Sequence, residues 1–182
     1  MAKHLQLLPG STREAGGRPG ASPEVIRVVL ADDHDLMRLR LRHLLKDEAD
    51  IDVIGDTGEL VEAVRRVHRC HPHVLVLDMS MPAGSSVAAI ARLREHMPDT
   101  QIVALRMEAS PAYARHALAA GALGFVLKDS ADTELVEAVR RAAAGEAYVS
   151  PRVAPALAGE LAERQLARTH RHPRPHNGSL LA

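Results

Sequence analysis

Two carboxylates stand side by side in "VVLADDHD", at Asp32 and Asp33. A third, Asp78, closes the apolar run "HVLVLD", and Lys128 closes "GFVLK". Adjacent carboxylates repel, so a chain that sets them at the ends of buried strands needs a cation among them. Oxygen ligands of this kind suit a hard divalent ion, Mg²⁺. With the charge so balanced, Asp78 can attack a phosphoryl group as a carboxylate nucleophile. A metal and the Lys128 ammonium would then neutralise the charge on the transferred phosphoryl oxygens.

That chemistry needs Asp32, Asp33, Asp78 and Lys128 brought to one place, which is a demand on the fold. The segment "RVVLA" reads as a strand, and "HDLMRLRLRHLLKD" sets Leu36, Leu39, Leu41, Leu44 and Leu45 near helical spacing. "IDVIGD" is a short strand, and "GELVEAVRRVHR" spaces Leu60, Val61, Val64 and Val67 as a helix does. "HVLVLD" is continuously apolar, the pattern of a strand buried on both faces. A helix in "SVAAIARLREHM" stops at Pro98, and "QIVAL" is a strand. "PAYARHALAAG" is a helix with proline at its start and Gly121 at its end. "GFVLK" is a strand, and "DTELVEAVRRAAAG" is a helix with Asp132 as N-cap and Gly145 as stop. Five strands alternating with five helices predict a parallel sheet covered on both faces. In such a doubly wound sheet, ligands bind beyond the carboxyl ends of the strands. With the flavodoxin-like strand order 2-1-3-4-5, the acids and the lysine meet in one pocket there.

Composition narrows the function further. The 182 residues carry 23 Lys plus Arg and 23 Asp plus Glu, a formal net charge of zero, which argues against a general nucleic-acid or membrane-surface binder. Aromatics are 2%, too few for a surface that stacks on bases, and the 46% apolar content must build its core from aliphatic residues. A single cysteine, Cys70, permits no internal disulfide and fits a reducing compartment. No apolar run is long enough to span a membrane, and no signal peptide is evident, so a cytoplasmic location is expected. The sequence divides into a flexible leader over residues 1–25, an α/β domain over 26–148, and a tail over 149–182 with one short helix before a disordered end.

Four motifs in order, "VVLADDHDLMR", "VLVLDMSMP", "AAGALGFVLKD" and "LVEAVRRAAAGEAYVSP", make the chain resemble the CheY-like receiver domain of bacterial response regulators, most nearly the NarL/FixJ type. The resemblance covers residues 26 to 148. It implies a flavodoxin-like (βα)5 fold and two-component signal transduction, with Asp78 accepting phosphate from a sensor histidine kinase. It implies Mg²⁺ bound by Asp33, Asp78 and the backbone carbonyl of Ser80, with Asp32 acting mainly through metal-bound water. Lys128 would contact the phosphoryl group, and Phe125 would hold the aromatic switch position. Catalysis would be limited to self-phosphotransfer and slow autodephosphorylation rather than turnover of a metabolite. Homodimers would form through the face of helix four, strand five and helix five.

Three departures from the family pattern stand out. Arg106, in "IVALRMEAS", replaces the usual Thr or Ser, whose hydroxyl bonds a phosphoryl oxygen and draws the loop into the active state. Arginine is shaped to grip a carboxylate or phosphate. Either it pairs with Asp78, or it swings out to solvent, and the second is the plainer expectation. Ser86, in "PAGSS", stands where the loop after the phosphoacceptor usually carries glycine, and Gly84 could supply the turn instead. Third, a complete helix-turn-helix output domain is missing: "GELAERQLAR" faintly resembles the start of one, and "THRHPRPHNG" breaks the pattern. DNA binding by this chain alone is therefore not expected. The alternative readings are an atypical, phosphorylation-independent receiver acting as an interaction module, or a truncated remnant of a DNA-binding regulator.

Other signals are weaker. "HRCHPH" groups His68, Cys70, His71 and His73, all of metal-binding type, but it spans a helix end and a strand start, so the side chains should diverge. His170, His172 and His176 carry no structural expectation. Cys70 reads as an inert thiol, and Met79 and Met81 as packing residues.

Overall fold

The computed structural model describes residues 25–82 and 84–158. Six strands form one parallel sheet in the order β2-β1-β3-β4-β5-β6. They are β1 (Ile26–Ala31), β2 (Ile51–Thr57), β3 (Val74–Asp78), β4 (Gln101–Arg106), β5 (Gly124–Leu127) and β6 (Tyr148–Val149). Five helices connect them: α1 (Asp35–Lys46), α2 (Leu60–Cys70), α3 (Ser86–His96), α4 (Pro111–Ala120) and α5 (Ala131–Ala143). The first five strands and all five helices are those expected from the sequence, in the expected order.

Because side chains alternate across a strand, each central strand feeds two cores. Val28 and Leu30 join Val74, Val76, Val103, Leu105 and Val126 beneath α1 and α5. Val29 and Ala31 join Leu75, Leu77, Ile102, Ala104 and Phe125 beneath α2, α3 and α4. This is why the strand sequences are continuously apolar.

Caps and loops correct several expectations. Pro111 opens α4, and Gly121, at φ +112°, closes it in the left-handed region that glycine tolerates. Asp132 is not the N-cap of α5. A 3-10 turn over Lys128–Ser130 runs into the helix, Ser130 takes the cap position, and Asp132 sits in the first turn, where its charge favours the helix dipole. In α1 only Leu41 and Leu45 are fully buried, whereas Leu36 is 84% exposed because it lies round the helix from that face. Gly84 takes the positive φ of the β3–α3 loop, and Ser86 sits unstrained and buried in the first turn of α3.

The domain also continues past residue 148. Tyr148 and Val149 pair with Gly124 and Phe125, and a 3-10 turn over Ala154–Leu157 follows. Val153 and Leu157 are buried in the same core as Ala114, Ala117 and Leu118 of α4. The expected leader over residues 1–24 and the tail beyond 158, with His170, His172 and His176, lie outside the described residues.

The "HRCHPH" groups diverge. His71 ends α2 in the left-handed conformation, and the Cys70 carbonyl accepts from the Arg27 guanidinium at 2.8 Å. His73 Nδ1 accepts the Arg27 backbone N–H at 3.0 Å, so the ring serves in its neutral form. Burial, with the Arg27 charge beside it, holds His73 below its ordinary pKa of 6.5. A depressed histidine contributes stability above the unfolded value and loses it as pH falls through the folded one. Urea unfolding should therefore show falling stability as pH drops below 6.5. His73→Asn, whose amide oxygen can accept the same N–H, should flatten that slope.

Candidate acid–lysine site

Strand register builds the site. Ala31 stands opposite Leu77, so Asp32 and Asp78, each one residue further on, emerge side by side. Arg106 stands opposite Leu127, so Lys128 leaves β5 at the same end of the sheet. Lys128 must reach back across β4 to meet β3, and strands lie about 4.8 Å apart, so only a long side chain serves. It is 3% exposed, with Nζ 2.8 Å from Asp78 Oδ2 and 2.7 Å from Asp32 Oδ2. Both carboxylates are 0% exposed.

The other bonds hold the carboxylates in place. Asp78 Oδ1 accepts the Ser80 backbone N–H at 2.9 Å, and the Ser86 hydroxyl donates to the Asp78 carbonyl at 3.2 Å. Asp32 Oδ1 accepts the His34 backbone N–H at 2.9 Å. His34 Nδ1 lies 2.9 Å from Asp33 Oδ1 and 3.5 Å from Asp32 Oδ1. Arg38 donates to the Asp32 carbonyl at 2.5 Å and is itself held by Asp35 and Asp56, which pins the turn after β1.

Among the described residues, Asp32, Asp33, His34 and Asp78 offer ligand atoms all within 4.8 Å of one another. Asp32 Oδ2 and Asp33 Oδ1 are buried and make no hydrogen bond among those residues, their neighbours being the Lys128 ammonium at 2.7 Å and His34 Nδ1 at 2.9 Å. One ammonium among three clustered carboxylates leaves net negative charge and spare acceptor oxygens, which a further cation would satisfy. The donor set, all oxygen apart from one exposed histidine, fits Mg²⁺.

Arg106 follows neither of the two courses read from the sequence. Its side chain is only 16% accessible, so it has not swung into solvent, and among the described residues it is held by Ser80, Glu108 and Tyr113 rather than by Asp78. The guanidinium donates to Ser80 Oγ at 3.2 Å, lies 3.6 Å from Glu108 Oε2, and stacks 4.0 Å above the centre of the Tyr113 ring. Phe125 is fully buried in the core beneath α4. Met81 is buried and Met79 packs against the same core, as expected.

Sequence reasoning missed the parts played by Ser80 N–H, the Ser86 hydroxyl, Arg38 and Tyr113. Only Arg38 left a trace, its i,i+3 spacing from Asp35; nothing in the sequence pointed to its bond with the Asp32 carbonyl.

A parallel sheet in this order, with a buried acid–lysine pocket beyond β1, β3 and β5, defines a flavodoxin-like α/β domain with its site at the carboxyl edge. The chain belongs to the response regulator receiver domain family, which matches residues 28–140, and it is a two-component receiver domain of the NarL/NreC type. It is 38% identical over 136 residues to the oxygen regulatory protein NreC of Staphylococcus epidermidis, covering 74% of this chain and 62% of that protein. The chain thus spans a little under two thirds of the length of that relative. The receiver domain of the putative response regulator NarL from Mycobacterium tuberculosis superposes with a TM-score of 0.65 at 34% identity, over 68% of this chain and 100% of that one. The isolated receiver domain of RcsB from Salmonella enterica serovar Typhimurium, in the presence of phosphomimetic BeF₃⁻, superposes with a TM-score of 0.67 at 27% identity, over 72% and 97%.

Proposed function

We propose that the protein is a response regulator switched by phosphorylation, in which Asp78 accepts a phosphoryl group from a sensor histidine kinase. The observation that carries this reading is the pair of fully buried carboxylates sharing one buried ammonium, Asp32 and Asp78 on Lys128. An Asp78 carboxylate oxygen attacks phosphorus, an acyl phosphate O–P bond forms, and the P–N bond to the kinase histidine breaks with its electron pair left on the imidazole. Lys128 keeps its contact as negative charge moves onto the phosphoryl oxygens, and the Ser80 N–H holds the carboxylate in line. Asp33, Asp78 and the Ser80 carbonyl would hold Mg²⁺, with Asp32 acting through water. When bound, the ion neutralises charge on the phosphoryl oxygens.

The mouth of the site offers a place for the kinase to dock. A cavity of about 400 Å³ is lined by His34, Leu36, Met37, Arg40, Met107 and Lys128, and Leu36 and Met107 are both exposed there. A shift in α4, β5 and α5 would change partner binding, including pairing of two copies through that face. No helix among the described residues is long and apolar enough to cross a membrane, and a cytoplasmic site of action goes with this function.

Intact-protein mass after incubation with acetyl phosphate and Mg²⁺ tests the reading. Wild type should gain one phosphoryl group, and Asp78→Ala none. Labelling that persists in Asp78→Ala, or folded wild type that stays unlabelled, would overturn it.

A further inference from the structure

We propose that the groove between α2 and α3 binds a small anionic amphiphile, a carboxylate carried on a linear apolar chain. The groove lies apart from the acid–lysine pocket, and the proposal does not rest on Asp78 being the phosphoacceptor.

Each helix gives one stripe to the groove. Val61, Val64, Arg65 and His68 recur at helical spacing on α2, and Ala88, Ala89, Arg92 and His96 do so on α3. They line a cavity of about 430 Å³, within the size range of small-molecule sites. Core packing does not account for the α2 stripe. That helix buries Leu60, Ala63 and Val67, while Val61 stays 51% exposed beside them.

The order of residues gives the groove a direction. The sheet is parallel and both helices cross it from strand end back to strand start, so α2 and α3 run the same way. In each stripe the small apolar residues come first and the basic ones follow. One end of the groove is therefore apolar on both walls, and the other carries two arginines and two histidines. Val61 to His68 spans roughly 10 Å at about 1.5 Å per residue, the reach of a medium acyl chain.

The basic end is uncompensated. Among the described residues no acid lines the cavity, and Glu62 of α2 is already taken by Arg66 and Arg69. Arg65 and Arg92 have no hydrogen-bond, ion-pair or ring partner among those residues, whereas every other arginine there interacts with another group. In a chain with no formal net charge, the two arginines left over thus face one groove from opposite walls. Guanidinium groups suit a carboxylate, and the apolar half takes the chain of the ligand out of water. A bilayer presents headgroups rather than single chains, so an apolar half joined to a basic half favours the free molecule.

Calorimetry and amide NMR on the full-length protein test this. The probe is decanoate below its micellar concentration, with decanol and decyltrimethylammonium as controls. Decanoate should bind and shift the amides of α2 and α3, and each control should bind about tenfold more weakly or worse. Arg65→Gln and Arg92→Gln should each weaken decanoate about threefold to fivefold, and together about tenfold or more. Ala88→Trp, at an exposed position on the wall, should fill the groove and abolish binding without lowering the melting temperature. Arg141→Gln, on α5 across the sheet, should leave affinity unchanged. No binding of decanoate, equal affinity for all three probes, or unchanged affinity in the double arginine variant would overturn the proposal. So would decanoate shifts confined to the acid–lysine pocket. Binding of anionic vesicles without binding of monomeric decanoate would overturn it as well, by making this face a membrane-docking surface.

Discussion

Lys128→Met is expected to cost about 3–5 kcal/mol of stability in metal-free buffer. It should also slow labelling of Asp78 by acetyl phosphate about a hundredfold or more. The two effects share one cause. The ammonium is 3% exposed and lies within 2.8 Å of an oxygen on each of two carboxylates that are 0% exposed. Methionine fills similar space, so little of the loss would come from a cavity. What remains is a pair of buried like charges with no cation between them. Mg²⁺ separates the two effects. Added ion should restore much of the stability in urea melts, because it too places positive charge among the carboxylates. It should not restore the labelling rate, because the missing group is also the donor to the transferred phosphoryl oxygens. A variant as stable as wild type without metal would show that the ammonium does not hold these carboxylates together. A variant labelled at the wild-type rate would show that Lys128 does not contact the phosphoryl group.

The parts of this molecule that the sequence made legible share a physical origin: they depend on period or on backbone chemistry. The strand reading follows from continuous apolar runs, which are there because Val28 and Leu30 feed one core while Val29 and Ala31 feed the other. Pro111 and Gly121 bound α4 because one lacks an N–H and the other tolerates positive φ. Asp32, Asp78 and Lys128 converge because parallel strands in this order end on one edge, which fixes their neighbourhood before any side chain is placed. Contacts set by side-chain reach left no such trace. Arg38 bonding the Asp32 carbonyl, and Arg106 lying on Tyr113 instead of on Asp78 or in water, depend on rotamers that no spacing encodes. Tyr148–Val149 is too short a strand to show a period, and Val153 and Leu157 are isolated apolar residues in a proline-bearing stretch. The reading therefore ends the domain at Tyr148 and assigns Val149, Val153 and Leu157 to the tail. In α1, leucines at 36 and 39 near helical spacing suggested one buried face, but burial follows Leu41 and Leu45, which leaves Leu36 free at the mouth of the site.

Phe125→Ala should lower stability by about 3–5 kcal/mol, enough to move the melting temperature by about 10–20 °C. Phe125 is the chain's single phenylalanine and is fully buried in the core beneath α4. That core also holds Ala104, Ala114, Ala117 and Ala122, short side chains that cannot lean in to fill the space a ring leaves. The cost should therefore fall toward the upper end of the range for such truncations. Phe125→Leu retains most of the volume and should cost less than about 1.5 kcal/mol.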